Sequence, residues 1–142
     1  FAAGPCLLKD TMQLSSFHKH KFSLLHNAMH INEGLPNFII KKLNENNNLR
    51  KKTVGILGIT FKAENDDIRD SLSVKIINKL KKNKLKVVFT DEYYIDKKSL
   101  TLSNFIKKSD IIIIGVPHNK YKKIKFPQSK KYIDIWGIAE KK

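Results

Sequence analysis

Residues 53–71 read TVGILGITFKAENDDIRDS and decide the fold. Thr53-Val54-Gly55-Ile56-Leu57-Gly58-Ile59 is a short apolar, β-branched run ending near a glycine, the signature of a buried strand. Polar residues follow, and then SLSVKIINKL over 71–80 carries apolar residues at helical spacing, with Asp70 or Ser71 suited to cap it. The same alternation continues along the chain. Residues 86–90 (KVVFT) predict a second strand ending at Asp91, and residues 99–108 a second helix. Residues 110–116 (DIIIIGV) predict a third strand, apolar on both faces. Residues 121–124 suit a helical turn and residues 132–136 a fourth strand. Unbroken Ile/Val runs separated by helices imply a parallel sheet covered on both faces, with right-handed crossovers and ligands at the C-terminal strand ends.

Upstream the periodicity changes. Met12, Leu14, Phe17, Leu24, Leu25, Ala28, Met29 and Ile31 recur at helical intervals over residues 11–45. Gly34 and Pro36 are expected to break or kink that helix. The polar run Asn44-Glu45-Asn46-Asn47-Asn48 reads as a linker or helix end. The chain therefore divides into residues 1–49, largely helical, and residues 50–142. Its fold class is α/β: a Rossmann-like parallel sheet with flanking helices, preceded by a helical segment.

The 142 residues allow one domain, or one with an appendage. With 41% hydrophobic and 29% charged residues the chain is globular rather than disordered. A single cysteine excludes an internal disulfide framework. No apolar run is long enough to cross a bilayer, and no secretory pattern opens the chain. It begins Phe-Ala-Ala-Gly-Pro-Cys without a methionine, which fits a processed terminus or a cut within a longer polypeptide. The formal net charge of +15 invites a polyanionic partner. The only arginines, however, are Arg50 and Arg69, and the lysines are dispersed. Nucleic-acid readers favour arginine for bidentate contacts and interleave aromatics for stacking. Compositional bias toward Lys, Asn and Ile accounts for the charge better than a nucleic-acid surface.

Chemistry-bearing residues are few. Lys62 lies just past the first strand, and Arg69 and Ser71 approach a helix N-terminus, an arrangement suited to an anionic ligand. Ion pairs with Glu64, Asp66, Asp67 or Asp70 would explain the same residues equally well. The full G-x-G-x-x-G fingerprint is missing. Cys6 is either a nucleophile, aided by nearby Lys9, or an inert thiol buried with Leu7 and Leu8. His18, His20, His26, His30 and His118 show no zinc-like spacing, so no metal site is expected. His118 follows the third strand and could face a ligand or simply sit in a loop.

Six segments add a resemblance: FAAGPCLLKDTMQL (1–14), NEGLP (32–36), VGILGITFKAENDDIRDS (54–71), VFTD (88–91), GVPHNKY (115–121) and DIWG (134–137). Together they resemble the UDP-sugar 6-dehydrogenases, the family of UDP-glucose and UDP-N-acetylmannosamine dehydrogenases. The resemblance implies oxidation of a sugar C6 alcohol to a carboxylate with two NAD, through a cysteine thiohemiacetal and thioester. Cys6 would be the nucleophile and Asp10 would position or activate the hydrolytic water. Phe61 and Lys62 would hold the UDP-sugar, with backbone of Phe1, Ala2 and Ala3 against the sugar. Arg69 would reach NAD, and the stretch from Cys6 to Lys9 would border the nicotinamide. Two departures touch the choice of sugar. The loop reads Ala-Gly-Pro-Cys where the family often has Gly-Gly-Ser-Cys or Gly-Gly-His-Cys, and Leu72 stands where proline is common. The family's NAD-binding N-terminal half and oxyanion lysine have no counterpart here. The resemblance thus implies the C-terminal portion of a longer cytoplasmic enzyme, homodimeric through its central helices, partnered by neither nucleic acid nor membrane, and inactive as these residues alone. A non-catalytic nucleotide-binding module is the second reading, and a basic nucleic-acid-binding domain the third.

Overall fold

Four strands form one parallel sheet: β1 Thr53–Leu57, β2 Lys86–Thr90, β3 Ile111–Ile114 and β4 Lys131–Asp134. They lie in the order β2-β1-β3-β4. The computed structural model describes residue 2, residues 4–18 and residues 23–139. Val54 stands opposite Val87 on one side and Ile111 on the other, and Ile113 opposite Ile133.

Because side chains alternate across a strand, the sheet has two apolar faces. Val54, Ile56, Ile111 and Ile113 point into one cluster with Ile76, Ile77 and Leu80 of helix α3 (Leu72–Lys82). The long helix α2 (Ser23–Asn46) adds Ile39, Ile40 and Leu43 to that cluster. Leu57, Ile112 and Ile114 face the other way, against Phe105 of α4 (Leu102–Lys108), Tyr121 and Phe126. Helices α3 and α4 therefore cover opposite faces. The topological switch falls between β1 and β3, where such sheets hold ligands. Gly55 makes the second face possible, since a Cβ there would meet Ser109 Oγ at 2.1 Å and the Phe105 ring at 2.8 Å.

Local chemistry sets the ends. Ser71 Oγ accepts the Val74 N–H at 3.4 Å and Thr101 Oγ1 the Asn104 N–H at 3.4 Å, each capping its helix. Lys79, Lys81 and Lys82 close α3, and Lys107 and Lys108 close α4, complementing the helix dipoles.

The structure sharpens or corrects several expectations. The helical signal over 11–45 falls in two helices, α1 (Leu7–Phe17) and α2. Helix α2 runs unbroken through Gly34 and Pro36, because Ile39, Ile40 and Leu43 beyond the proline are anchored in the core. An ion pair of 2.6 Å between Glu33 and Lys75 also ties it to α3. The run 44–48 is a helix end, helical as far as Asn46, the second of its two readings. The helix expected over 99–108 starts only at Leu102. Asp96 Oδ1 accepts the N–H groups of Lys98 and Ser99 at 2.7 and 2.9 Å and turns the chain there. Strand β2 has its expected bounds, whereas β1, β3 and β4 end before their expected runs do. Asp134 Oδ1, for one, accepts the N–H groups of Trp136 and Gly137 at 3.0 and 2.9 Å, folding the chain away after β4.

Two glycines give opposite expectations. Gly55→Ala overpacks the α4 face and should cost about 1–3 kcal/mol. Gly34→Ala, with nothing within 4 Å of its new Cβ, should stabilise α2 by up to about 1 kcal/mol. Urea unfolding midpoints of the two variants check both signs.

Candidate functional site

The site grows from the end of β1. The chain leaves the sheet at Gly58, whose φ of +87° suits glycine, and a Cβ there would sit 2.7 Å from Val116 Cβ. Backbone bonds from Gly58 N–H to Thr90 O (2.9 Å) and from Gly115 N–H to Leu57 O (2.8 Å) join the ends of three strands.

Asp91, directly after β2, is buried and gathers the loops that follow. Its Oδ2 accepts the N–H groups of Ile59 at 2.6 Å and Thr60 at 3.3 Å. Its Oδ1 accepts those of Tyr93 at 2.8 Å and Tyr94 at 3.1 Å. Burial pushes its carboxyl up, but hydrogen bonds from the His118 ring and from the Ile59 and Tyr93 amides outweigh burial and hold it below the usual carboxylate range. Dinucleotide-binding sheets use an acid in this region to hold a ribose hydroxyl. Here both oxygens are spent on the protein itself. With the incomplete glycine pattern, this sheet does not fit a dinucleotide held in that way.

The segment 60–70 then forms a braced loop. Thr60 Oγ1 donates to Lys62 O at 2.9 Å, Ser71 Oγ to Thr60 O at 3.3 Å, and Phe61 N–H to Asp67 O at 2.9 Å. Lys62 is exposed, and its Nζ lies 5.4 Å from the centre of the Phe61 ring. Among the described residues Lys62 makes no ion pair, so the surface-pair alternative fails for it. For Arg69 that alternative holds: Nε and Nη2 fork onto Asp67 Oδ2 at 2.9 and 2.7 Å.

The cysteine loop meets this loop. Gly4, at φ +124°, lies under the Phe61 ring, and a Cβ there would approach two ring carbons to 3.1 Å. Cys6 is the N-cap residue of α1 and its thiol is free and exposed, which removes the buried-thiol alternative. The helix's free amides favour negative charge at that end. Arg69 is raised further above its ordinary value by its hydrogen bonds and charge interaction with Asp67, with the Cys6 sulfur a weaker charge partner. Asp10 lies in the first turn of α1, its amide bonded to Cys6 O at 2.8 Å, and its carboxylate pairs with exposed Lys9 at 3.4 Å. Asn32 of α2 grips the peptide of Ala2 from both sides. It accepts the Ala2 N–H at 2.9 Å and donates to its carbonyl. Phe1 and Ala3 lie outside the described residues. No group of three or more metal-ligating side chains occurs among the described residues.

Sequence reasoning missed Asp91, seen only as the end of a strand, and left His118 open. His118 is completely buried among these loops. The Asp91 bonds to Ile59, Thr60 and His118, and those of His118 to Thr60 and Glu64, reach partners more than 25 residues away, and no local spacing reports such contacts.

Residues 55–141 match the UDP binding domain of the UDP-glucose/GDP-mannose dehydrogenase family. Among curated relatives, the chain is 29% identical over 126 residues to a UDP-N-acetyl-D-mannosamine dehydrogenase of Pyrococcus horikoshii, covering 85% of this chain and 30% of that protein. It is 31% identical over 124 residues to the enzyme of the same name from Methanocaldococcus jannaschii, covering 84% and 28%. Among solved structures, the UDP-D-ManNAc dehydrogenase of Pyrococcus horikoshii superposes with a TM-score of 0.85 at 26% identity, over 99% of this chain and 36% of that one. The chain thus spans about a third of the length of these relatives.

Asp91 carries a pH signature. A carboxylate held below its unfolded value contributes stability that is fully present above the unfolded pKa and is lost as pH falls through the folded one. Asp91→Asn should therefore lose about 2–3 kcal/mol at neutral pH, with the gap to the native chain closing below about pH 4. Chemical denaturation of both proteins across pH 2.5–7 checks the window.

Proposed function

This chain belongs to the UDP-glucose/GDP-mannose dehydrogenase family, and from that premise we propose that it is the nucleotide-sugar-binding part of an NAD-dependent UDP-sugar 6-dehydrogenase. The observation that carries the reading is the meeting of two loops. Lys62, without an ion pair among the described residues, stands past the C-terminal end of a central parallel strand, and Gly4 of the Cys6 loop packs on the ring of Phe61 beside it.

The residues divide the work. Lys62 gives the diphosphate a cation, and Phe61 offers an apolar wall that the Gly4 contact keeps in place. Ala2, with Phe1 and Ala3, is assigned to the sugar, and Asn32 already holds both the N–H and the carbonyl of Ala2. Cys6 attacks the C6 aldehyde carbon to give a thiohemiacetal. After that intermediate is oxidised, water, positioned or activated by Asp10, cleaves the thioester to the acid and returns the thiol. NAD, when bound, supplies the hydride acceptor for the two oxidations. Arg69 offers it a guanidinium pre-aligned by Asp67, near the stretch from Cys6 to Lys9. The sheet's own acid does not take part, since Asp91 is fully used inside the fold. The rest of the dinucleotide cradle is therefore assigned to other parts of the enzyme.

A second copy of the chain is the proposed partner. Leu24, Ile31 and Phe38 recur every seven residues along α2 and are 80, 70 and 56% exposed. A seven-residue apolar stripe is the pattern that pairs helices. The setting is proposed as cytoplasmic, where a lone catalytic thiol stays reduced.

UDP should stabilise the chain against heat, as any ligand of the native state does, by about 2.7 kcal/mol at a hundred times its dissociation constant. Lys62→Ala should weaken UDP by roughly tenfold or more, the scale of a charge-assisted hydrogen bond. No NADH should form from a UDP-sugar and NAD with these 142 residues alone. Unchanged melting with UDP, or full affinity after Lys62→Ala, overturns the reading.

A further inference from the structure

The buried His118 has no role in the chemistry above, yet both its nitrogens are engaged. Nδ1 lies 3.0 Å from the backbone nitrogen of Glu64. A peptide N–H can only donate, so Nδ1 is the acceptor and carries no proton. The proton of the neutral ring therefore sits on Nε2, which faces Thr60 Oγ1 at 3.3 Å and Asp91 Oδ2 at 3.4 Å. Thr60 Oγ1 gives its own hydrogen to Lys62 O, so it accepts here. The rings of Tyr93 and Tyr121 pack at 4.9 and 5.0 Å and fix the imidazole plane.

This one ring thus grips both ends of the segment 60–64, the segment that carries Phe61 and Lys62. Its far end needs such a grip. Glu64 has φ +55°, a left-handed conformation that costs a non-glycine residue about 1–2 kcal/mol. Its backbone is held by His118, and its carboxylate accepts the Tyr93 hydroxyl and, at 2.8 Å, the Asn119 N–H. We propose that His118, as its Nε2–H tautomer, is the positioning residue of the Phe61–Lys62 segment and sets the geometry in which Lys62 meets a nucleoside diphosphate. The ligand in this statement rests on the function proposed above; the grip on the loop does not.

Nuclear magnetic resonance on the 15N-labelled chain tests both parts. The His118 ring should show an unprotonated Nδ1 and a protonated Nε2. His118→Asn places a carbonyl oxygen near the Nδ1 position, whereas His118→Phe keeps a ring without either nitrogen. In the Phe variant the Glu64 amide should exchange about tenfold faster, the scale of one lost hydrogen bond, while the Val54 and Ile113 amides keep their protection. The dissociation constant for UDP should rise about fivefold or more in that variant. The Asn variant should recover both. An Nδ1–H tautomer, an unchanged Glu64 amide, or loop and core amides loosening together overturns the proposal. Should His118→Phe not fold, the tautomer and the Asn variant decide. Should UDP not bind the native chain at all, the function proposed above falls, and the tautomer and the Glu64 amide still decide the role of His118.

Discussion

The loops at the C-terminal end of the sheet depend on the Asp91 carboxylate. A parallel sheet delivers its strands to one edge and leaves the outgoing loops without regular partners there. Asp91 supplies them. One oxygen takes the amides after β1 and the other those after β2. A buried charge is tolerable only when fully hydrogen-bonded, and these amides meet that demand. The arrangement also explains why Asp91 is not free for a ligand: a carboxylate that organises two loops from within has no oxygen left to point outward.

That organisation is built on close packing behind it. Gly58 and Gly115 let the ends of β1 and β3 approach each other, and the space a side chain would need at Gly115 is taken by Ser73 Oγ at 2.3 Å and Gly58 O at 2.8 Å. The ends of β1 and β3 thus leave no room for side chains at these two positions, and Lys62 and the Cys6 loop lie farther out. The net charge of +15 reads differently in this light. Lysines crowd the last turns of α3 and α4, where they offset helix dipoles. Arg69 is already forked onto Asp67. Lys62 shares the absence of an ion pair among the described residues with those helix-end lysines, and differs in standing past the end of β1, beside the cysteine loop.

Local pattern carried much of the fold. Runs such as DIIIIGV can be little other than buried strands, and Ser71 before an amphipathic run marks a helix start whichever way the chain folds. Pro36 does not break α2, because local propensity is outweighed by tertiary anchoring through Ile39, Ile40 and Leu43. For the site, Lys62 and Cys6 could be picked out by their residue type and position. The contact of Gly4 with Phe61, the Asp91 clamp and the His118 bridge could not. Each joins segments far apart in the chain, and each is set by three-dimensional closure rather than by spacing.

The two loops that meet at Phe61 have different supports, and this bears on how a ligand would be read. The β1 loop is fastened inside the sheet domain by Asp91 and by the cap at Ser71. The Cys6 loop is fastened to α2 by Asn32 and rests on the sheet domain through Gly4. Helix α2 is itself anchored to α3 by the Glu33–Lys75 pair and by its apolar residues beyond Pro36. Any change in how α2 seats on the sheet would therefore move Cys6 relative to Lys62. The exposed stripe of Leu24, Ile31 and Phe38 lies on that same helix. Covering the stripe with a second copy, as proposed, would steady the helix that seats the Cys6 loop, so α2 is the element through which the proposed pairing and the proposed chemistry would be coupled.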